Sequence, residues 1–204
     1  MTLPFKPVSA DSHVAEPPDL WRKRIDRHFA DRAPCIVSQD NGDFFVIDPS
    51  RPRKDGEPGI GPGIGIGLLA TRRKYENPDN YDFGHNGRWQ DVPESAYNPD
   101  KRAAELDAEG IEAELLYPTL GLGIFGIRDR EFRYACLRAY NDWLADYCAA
   151  QPRRLFGVAV IATDNIERDV AELERCAKAG LRGAMVAINQ KSGASYGETR
   201  GRAS

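Results

Sequence analysis

The chain has 204 residues, which corresponds to one domain or to one domain with an inserted segment. Hydrophobic residues make up 41% of the sequence and charged residues 29%, so a sizeable core is expected. The 28 basic and 31 acidic residues give a net charge of −3, which leaves no basic surplus for binding a nucleic-acid backbone. Neither an apolar run of membrane-spanning length nor a secretory signal is visible. These features predict a cytoplasmic protein that binds neither nucleic acid nor membranes.

The four cysteines, Cys35, Cys136, Cys148 and Cys176, are widely spaced. None forms a C-x-x-C pair, so the usual zinc-knuckle and disulfide spacings are excluded. Only three histidines are present to activate a thiol, and none lies in a recognisable partner motif. The cysteines are therefore predicted to be free, buried thiols.

The first half of the chain passes from a strand pattern to a helical pattern and then to a segment rich in turn-forming residues. A short strand is predicted over 7–12, and the segment that begins at Asp19 has the apolar spacing of a helix extending to Phe29. Residues 34–97 are rich in Gly, Pro, Asp, Asn and Arg and are predicted to form a long, mostly irregular excursion. Within it, DNGDFFVIDP indicates one hairpin, and GIGPGIGIG (59–67) is interpreted as a flexible loop.

Helices and strands alternate from Asn98 onward. Helical patterns follow Asn98 and Asp164 and extend over EFRYACLRAYNDWLADYCAAQ (131–151), and strands are predicted over 113–118, 155–162 and 182–188. Together with the strand at 7–12, this order predicts an α/β domain with a parallel sheet. Residues 189–204 have neither strand nor helix periodicity and are predicted to form a polar, disordered tail.

Four segments resemble the amidohydrolase-related family of metal-dependent (β/α)8 barrels, which includes aminocarboxymuconate-semialdehyde decarboxylase and the resorcylate-type decarboxylases. They are SADSHVAEPPDLW (9–21), NPDKRAAELDAEGIEAELLYPTLGL (98–122), AYNDWLADYCAAQPRRLFGVAVI (139–161) and ELERCAKAGLRGAM (172–185). The resemblance implies that residues 1–188 form a partial (β/α)8 TIM barrel of about four βα units, with 34–97 as an insertion after strand one. A complete barrel needs eight strands and about 250 residues.

The first of these segments contains the residues that matter chemically. The resemblance implies two metal ligands at the end of the first strand, here Asp11 and His13, and a strand directs residues i and i+2 to the same face. A carboxylate and an imidazole suit Zn²⁺ best, and also Mn²⁺ or Fe²⁺. Glu16 is a candidate to accept a hydrogen bond near the metal or to contact the substrate. An equal alternative is that it stabilises the turn before Pro17.

The later metal ligands of the family have no counterpart in this sequence. The resemblance implies histidines after the fifth and sixth strands and an aspartate after the eighth, but no histidine follows His85. His28 and His85 match no ligand position and are expected to be structural. Two ligands hold a divalent ion weakly, because catalytic zinc sites take three protein ligands. The chain is therefore expected to be a truncated, inactive half of a metal-dependent hydrolase or decarboxylase for a small, often aromatic, carboxylic acid or an amide.

Two other interpretations were weighed against this one. GLGIFG (121–126) matches G-x-G-x-x-G, but no helix follows directly and Asp164 lies too far downstream for a dinucleotide site, so a glycine-rich loop over the barrel mouth is predicted. The alternative function is a non-catalytic α/β fragment that self-associates. A half-barrel would expose apolar helix faces and the edge of the strand at 182–188.

Overall fold

The computed structural model describes residues 5–51, 63–70 and 87–187. Its strands are β1 (Val8–His13), β2 (Cys35–Gln39), β3 (Gly42–Val46), β4 (Ile64–Gly65), β5 (Ala113–Tyr117), β6 (Leu155–Ile161) and β7 (Gly183–Val186). Its α-helices are α1 (Leu20–Arg24), α2 (Pro99–Glu109), α3 (Arg130–Ala149) and α4 (Ile166–Lys178). Short 3-10 helices span Arg27–Arg32, Ile66–Leu68, Trp89–Asp91, Glu94–Ala96 and Leu120–Gly126.

Four strands form a parallel sheet in the order β1-β5-β6-β7. Helices α2, α3 and α4 each lie between two successive strands of this sheet along the chain. The predicted parallel strands at 7–12, 113–118, 155–162 and 182–188 are confirmed, with boundaries that differ by one or two residues. The fold is α/β and corresponds to half of a (β/α)8 barrel, as the sequence predicts.

The first two strands of the sheet pair through a β-bulge. Val8 and Ser9 pair with Ala113 and Glu114, but the pairing resumes at Ser12 with Leu116, so β1 contains one extra residue. Bulges of this kind redirect side chains and are common beside functional sites.

Helix α3 lies at the centre of the core. Phe132, Tyr140 and Leu144 are at most 1% exposed. Asn141 is equally buried, and its amide bonds the backbone of Val160: Oδ1 accepts from the N–H at 2.8 Å and Nδ2 donates to the carbonyl at 3.1 Å. The pairing of β5 with β6 ends at Gly157. At Val160, the Asn141 side chain therefore makes the hydrogen bonds that a neighbouring strand would otherwise make.

Helix boundaries follow local capping residues, and at helix α4 the cap lies one residue later than the start suggested by the sequence. Helix α2 is capped by the Asn98 side chain and ends at Gly110 with φ 73°, as predicted. Helix α4 is capped by Asn165 and not by Asp164. The Asp164 carboxylate instead pairs with Arg133, which is only 4% exposed. A buried guanidinium needs a counter-ion, so the long-range ion pair takes precedence over the cap.

The first helix is shorter than the sequence pattern predicts. Helix α1 ends at Arg24, and Ile25 is extended, with φ −69° and ψ 151°. The carboxylate of Asp26 then accepts the N–H of His28 at 2.8 Å and begins a separate 3-10 turn. The prediction of one continuous helix to Phe29 is therefore wrong, because a side-chain cap interrupts the apolar periodicity.

The 34–97 excursion contains an antiparallel sheet in the order β2-β3-β4. The predicted hairpin is confirmed by the pairing of β2 with β3. The third strand is a difference from the prediction of a flexible loop at 59–67: Ile64 and Gly65 pair with β3, and Ile66 is fully buried. The buried side chain of Ile66 anchors residues 63–67, and residues 59–62 lie outside the described part of the chain.

Two predictions fall outside the described residues, namely the polar tail at 189–204 and the turn that contains His85. Among the helices that are described, none has the length and apolar content needed to cross a bilayer.

Candidate metal site at the end of the first strand

Asp11 and His13 converge at the carboxyl end of β1. The distance between Asp11 Oδ1 and His13 Nε2 is 3.8 Å, and their side chains are 86% and 48% exposed. The Tyr117 ring at the end of β5 flanks the imidazole, with 6.1 Å between ring centroids. The two side chains thus share a face, as strand alternation requires. Their role as metal ligands stays a prediction.

A hydrogen bond from the imidazole fixes the orientation of the His13 ring. His13 Nδ1 lies 2.8 Å from the carbonyl oxygen of Pro118. A carbonyl oxygen can only accept, so Nδ1 carries the proton in this contact. In the neutral ring the lone pair is then on Nε2, the nitrogen that faces Asp11. Histidines that bind metals usually have this arrangement, with one nitrogen on the ion and the other donating to a carbonyl or a carboxylate.

Further hydrogen bonds join the segments that follow β1 and β5. The N–H of Val14 donates to the carbonyl of Tyr117 at 3.0 Å. In the opposite direction, Thr119 Oγ1 donates to the carbonyl of Val14 at 2.7 Å. On the other face of β1, Ser12 Oγ donates to Glu114 Oε1 at 3.0 Å. The two strand ends are therefore held together on both sides of the predicted ligand pair.

Glu16 is fully buried, and its carboxylate bonds one turn of the chain. It accepts the N–H groups of Thr119, Leu120 and Gly121 at 3.0, 2.9 and 2.8 Å. A Cβ on Gly121 would lie 2.9 Å from Glu16 Oε1, so glycine is required for this close approach. Burial raises the pKa of Glu16 to about 7, and the backbone hydrogen bonds partly oppose the increase.

This geometry bears on two sequence predictions. Glu16 is enclosed by protein atoms, and its carboxylate stabilises the turn at 119–121, which is a different turn from the one before Pro17 that the sequence suggested as an alternative. The turn at 119–121 is the start of GLGIFG, which forms a 3-10 helix at 120–126. The first N–H groups of this helix, which would have to bind a phosphate in a dinucleotide site, already donate to Glu16.

The donor set fits part of a divalent-metal site. Asp11 and His13 provide an anionic oxygen and a neutral nitrogen, which suits Zn²⁺ and Mn²⁺. In the ranges that the structure describes, no group of three histidine, cysteine or acidic side chains is placed to hold a metal ion. The pair therefore fits one side of a coordination sphere and leaves its other positions to further ligands.

The other candidate residues lie apart from this pair. The His28 ring packs edge-on against Phe29, with 4.9 Å between centroids. All four cysteines are buried and form no disulfide, as predicted. Burial raises the pKa of Cys148 and of Cys176 to about 12, so these thiols are not nucleophiles at neutral pH.

Sequence reasoning predicted that Asp11 and His13 act together but missed the residues that support them. Pro118 and Thr119 are the residues that hold the two segments together, and nothing in the string YPTL distinguishes them from an ordinary strand end. Only the pairing of β1 with β5 could have indicated that they lie beside Asp11 and His13, the predicted ligand pair.

The sequence pattern of the amidohydrolase family matches residues 12–200. The chain belongs to this family. No curated protein matches the chain. Among solved structures, an amidohydrolase from Mycobacterium avium subsp. paratuberculosis K-10 is 24% identical with a TM-score of 0.64. A 5-carboxyvanillate decarboxylase from Novosphingobium aromaticivorans DSM 12444, solved with manganese and 4-hydroxy-3-methoxy-5-nitrobenzoic acid, is 18% identical with a TM-score of 0.51.

The present chain spans about half of the length of these relatives or less. The first match covers 91% of this chain and 50% of the mycobacterial protein. The second covers 92% of this chain and 43% of the decarboxylase. At these identities the likeness establishes the fold.

Proposed function

We propose that this chain provides the first-strand ligands of a divalent-metal site in a hydrolase or non-oxidative decarboxylase. Its substrate is a small, often aromatic, carboxylic acid, or an amide in the hydrolase case. The observation that carries the proposal is the His13 imidazole, which donates from Nδ1 to Pro118 and directs Nε2 toward Asp11, 3.8 Å away. Family membership and the manganese-containing decarboxylase of similar fold support it.

Each residue of the pair has a separate task in this proposal. Asp11 supplies negative charge, and His13 supplies a nitrogen whose direction is set by the Pro118 carbonyl. A bound divalent ion would polarise a carboxyl group or lower the pKa of a bound water. The aromatic ring of Tyr117 lies beside His13 and provides an apolar wall next to the ion-binding face.

The proposed site is incomplete in the described part of the chain. Two protein ligands leave a divalent ion largely hydrated, whereas catalytic zinc sites have three. We therefore expect weak binding of Zn²⁺, the preferred ion, or of Mn²⁺ or Fe²⁺, with a dissociation constant above about 1 μM. We also expect the isolated chain to be inactive.

Metal titration of the 204-residue chain tests this proposal. Free Mn²⁺ is followed by electron paramagnetic resonance, and Zn²⁺ is followed by competition with Mn²⁺. Asp11→Asn and His13→Gln should each weaken binding by about tenfold or more. The matched control is His28→Gln, which removes a different histidine and should leave binding unchanged. Equal Mn²⁺ binding by the wild type and by an Asp11→Asn, His13→Gln double variant would refute the site.

Activity is measured on the same preparations. Carbon dioxide release is followed with 2,6-dihydroxybenzoate and 5-carboxyvanillate in the presence of each metal, and no turnover is expected. Turnover together with sub-micromolar Zn²⁺ affinity would contradict the expected incompleteness and show that other residues of the chain complete the site.

A second candidate function is self-association without catalysis, and helix α4 provides the observation in its favour. Its apolar stripe faces solvent: Ile166, Val170 and Leu173 are 83%, 48% and 42% exposed. Their spacing of four and three residues is typical of a helix face that packs against another helix. Val186 on strand β7, the last strand in the order of the described sheet, is also 44% exposed, and an uncovered apolar strand edge favours association as well.

Sedimentation of the chain over a range of concentrations tests this second candidate. The wild type should form concentration-dependent dimers or larger species, and a Val170→Lys, Leu173→Lys variant should be monomeric. Glu174→Lys, an exposed substitution next to the stripe, serves as the control and should behave as the wild type. A wild-type chain that is monomeric at every concentration would rule this function out.

A further inference from the structure

The Glu16 carboxylate is a buried titratable group for which the proposed site has no use so far. It is 0% exposed, and an ionised carboxylate taken out of water must be compensated by hydrogen bonds. Three backbone N–H groups provide this compensation, those of Thr119, Leu120 and Gly121. The first of these belongs to the peptide group that also contacts the metal pair.

One peptide group connects Glu16 with His13. The carbonyl of Pro118 and the N–H of Thr119 are the two ends of the same planar unit. The N–H end donates to Glu16 Oε1 at 3.0 Å, and the carbonyl end accepts from His13 Nδ1 at 2.8 Å. Because the unit is rigid, a carboxylate that fixes the direction of the N–H also fixes the direction of the carbonyl.

The same connection has an electronic consequence. An anionic acceptor on the N–H polarises the peptide group, and hydrogen bonds in such a chain strengthen one another. The Pro118 carbonyl thereby becomes a better acceptor for the proton on His13 Nδ1. A stronger bond at Nδ1 makes Nε2 a more basic ligand, which is how groups behind a metal-binding histidine adjust its affinity.

We propose that Glu16 is a positioning residue for the metal pair: acting through the peptide group between Pro118 and Thr119, it keeps the proton of neutral His13 on Nδ1 and leaves Nε2 free to bind the ion. The tautomer part of this inference stands on the structure alone, and the metal part rests on the proposed function.

The test reads the His13 tautomer directly. Long-range ¹H–¹⁵N spectra of the ¹⁵N-labelled full chain at about pH 8.5 distinguish the two neutral tautomers, and His28 provides an internal reference. The wild type should show His13 protonated on Nδ1. Glu16→Gln removes the negative charge, and its NH₂ group donates and so cannot accept an N–H; the polarisation of the Pro118–Thr119 peptide group is weakened, so the Nε2-protonated form should increase. Mn²⁺ affinity should fall about tenfold.

Two further variants separate positioning from a loss of stability. Asp169 is also buried, and its carboxylate accepts from Tyr134 Oη and from the N–H of Asn165. Asp169→Asn should therefore lower the free energy of unfolding but leave both the His13 tautomer and Mn²⁺ binding unchanged. Glu16→Asp retains the charge on a shorter side chain and should give an intermediate shift, which provides a readout if Glu16→Gln does not fold.

The outcomes distinguish the inference from the proposed function. An unchanged His13 tautomer in a folded Glu16→Gln or Glu16→Asp variant overturns the inference, whatever the metal titration shows. An equal tautomer shift in Asp169→Asn overturns it as well, because the effect would then follow from stability alone. A shifted tautomer specific to Glu16, in a chain whose wild type binds no Mn²⁺, supports the positioning role and refutes the metal site.

Discussion

Raising the pH from about 5 to 8.5 should reduce the contribution that Glu16 makes to the free energy of unfolding. Burial raises the pKa of this carboxyl to about 7 in the folded chain, compared with its ordinary value of 4.5. Between these values the folded state binds more protons than the unfolded state, so stability falls as the pH rises. With these two pKa values, linkage gives a loss of about 2.5 kcal/mol over this interval. Below pH 4.5 the contribution of Glu16 is fully retained.

A comparison with Glu16→Gln isolates this contribution from other ionisable groups. The hydrogen bond from Arg32 lowers the pKa of Asp129, and at Glu172 the bonds from Arg175 and Asn141 outweigh burial and also lower the pKa. Carboxyl groups with lowered pKa values lose stability on acidification, which is the opposite sign. Both effects are common to the wild type and the variant, so they cancel in the difference.

Urea unfolding of both proteins at the two pH values measures this difference. The quantity compared is the free energy of unfolding of the wild type minus that of Glu16→Gln. This difference should be about 2.5 kcal/mol larger at pH 5 than at pH 8.5. A larger difference at pH 8.5 would show that the three N–H groups lower the pKa more than burial raises it. The reasoning about Glu16 would then be wrong in sign.

Two core substitutions give independent predictions of stability. Asn141→Leu should lower the free energy of unfolding in urea by about 3 kcal/mol, because the N–H and the carbonyl of Val160 both lose their buried hydrogen-bond partner. A loss below about 1 kcal/mol would mean that water or a strand replaces the amide. Gly157→Ala would place a Cβ 2.6 Å from Leu181 Cδ2 and 2.8 Å from Leu144 Cδ2, so overpacking should cost about 1–3 kcal/mol. Gly126→Ala is the matched control, since the described residues leave open space around its Cβ position. Equal melting curves for the two variants would argue against close packing at Gly157.

The parts of the fold that could be predicted from the sequence depend on local signals. Strand β6 could be predicted because a run of apolar residues is typical of a strand covered on both faces. In the structure all of its residues except Phe156 are buried. Helix α2 could be predicted because Asn98 and Pro99 mark its start and Gly110 marks its end within one short segment. The pairing of Asp11 with His13 is local in the same sense, since it needs only the alternation of a strand.

The parts that could not be predicted depend on contacts between distant segments. Glu16 reaches N–H groups 103 to 105 positions away along the chain, and His13 reaches Pro118 at a similar separation. Asn141 has no sequence signature, because the backbone group that it satisfies is on another element. These side chains have roles only after the strands have paired, so a pattern within one segment does not indicate them.

The bulge in β1 shows how such a contact determines the site itself. Alternation predicts that Asp11 and His13 share a face, but it does not say which face of the sheet they occupy. Ser9 and Ser12 are three residues apart and would lie on opposite faces of a regular strand, yet their Oγ atoms are 2.7 Å apart. The extra residue between them changes the alternation, so that Ser12 bonds Glu114, whose carboxylate also accepts from Arg102 of helix α2. Asp11 and His13 are thereby directed to the other face, where the predicted metal pair is open to solvent.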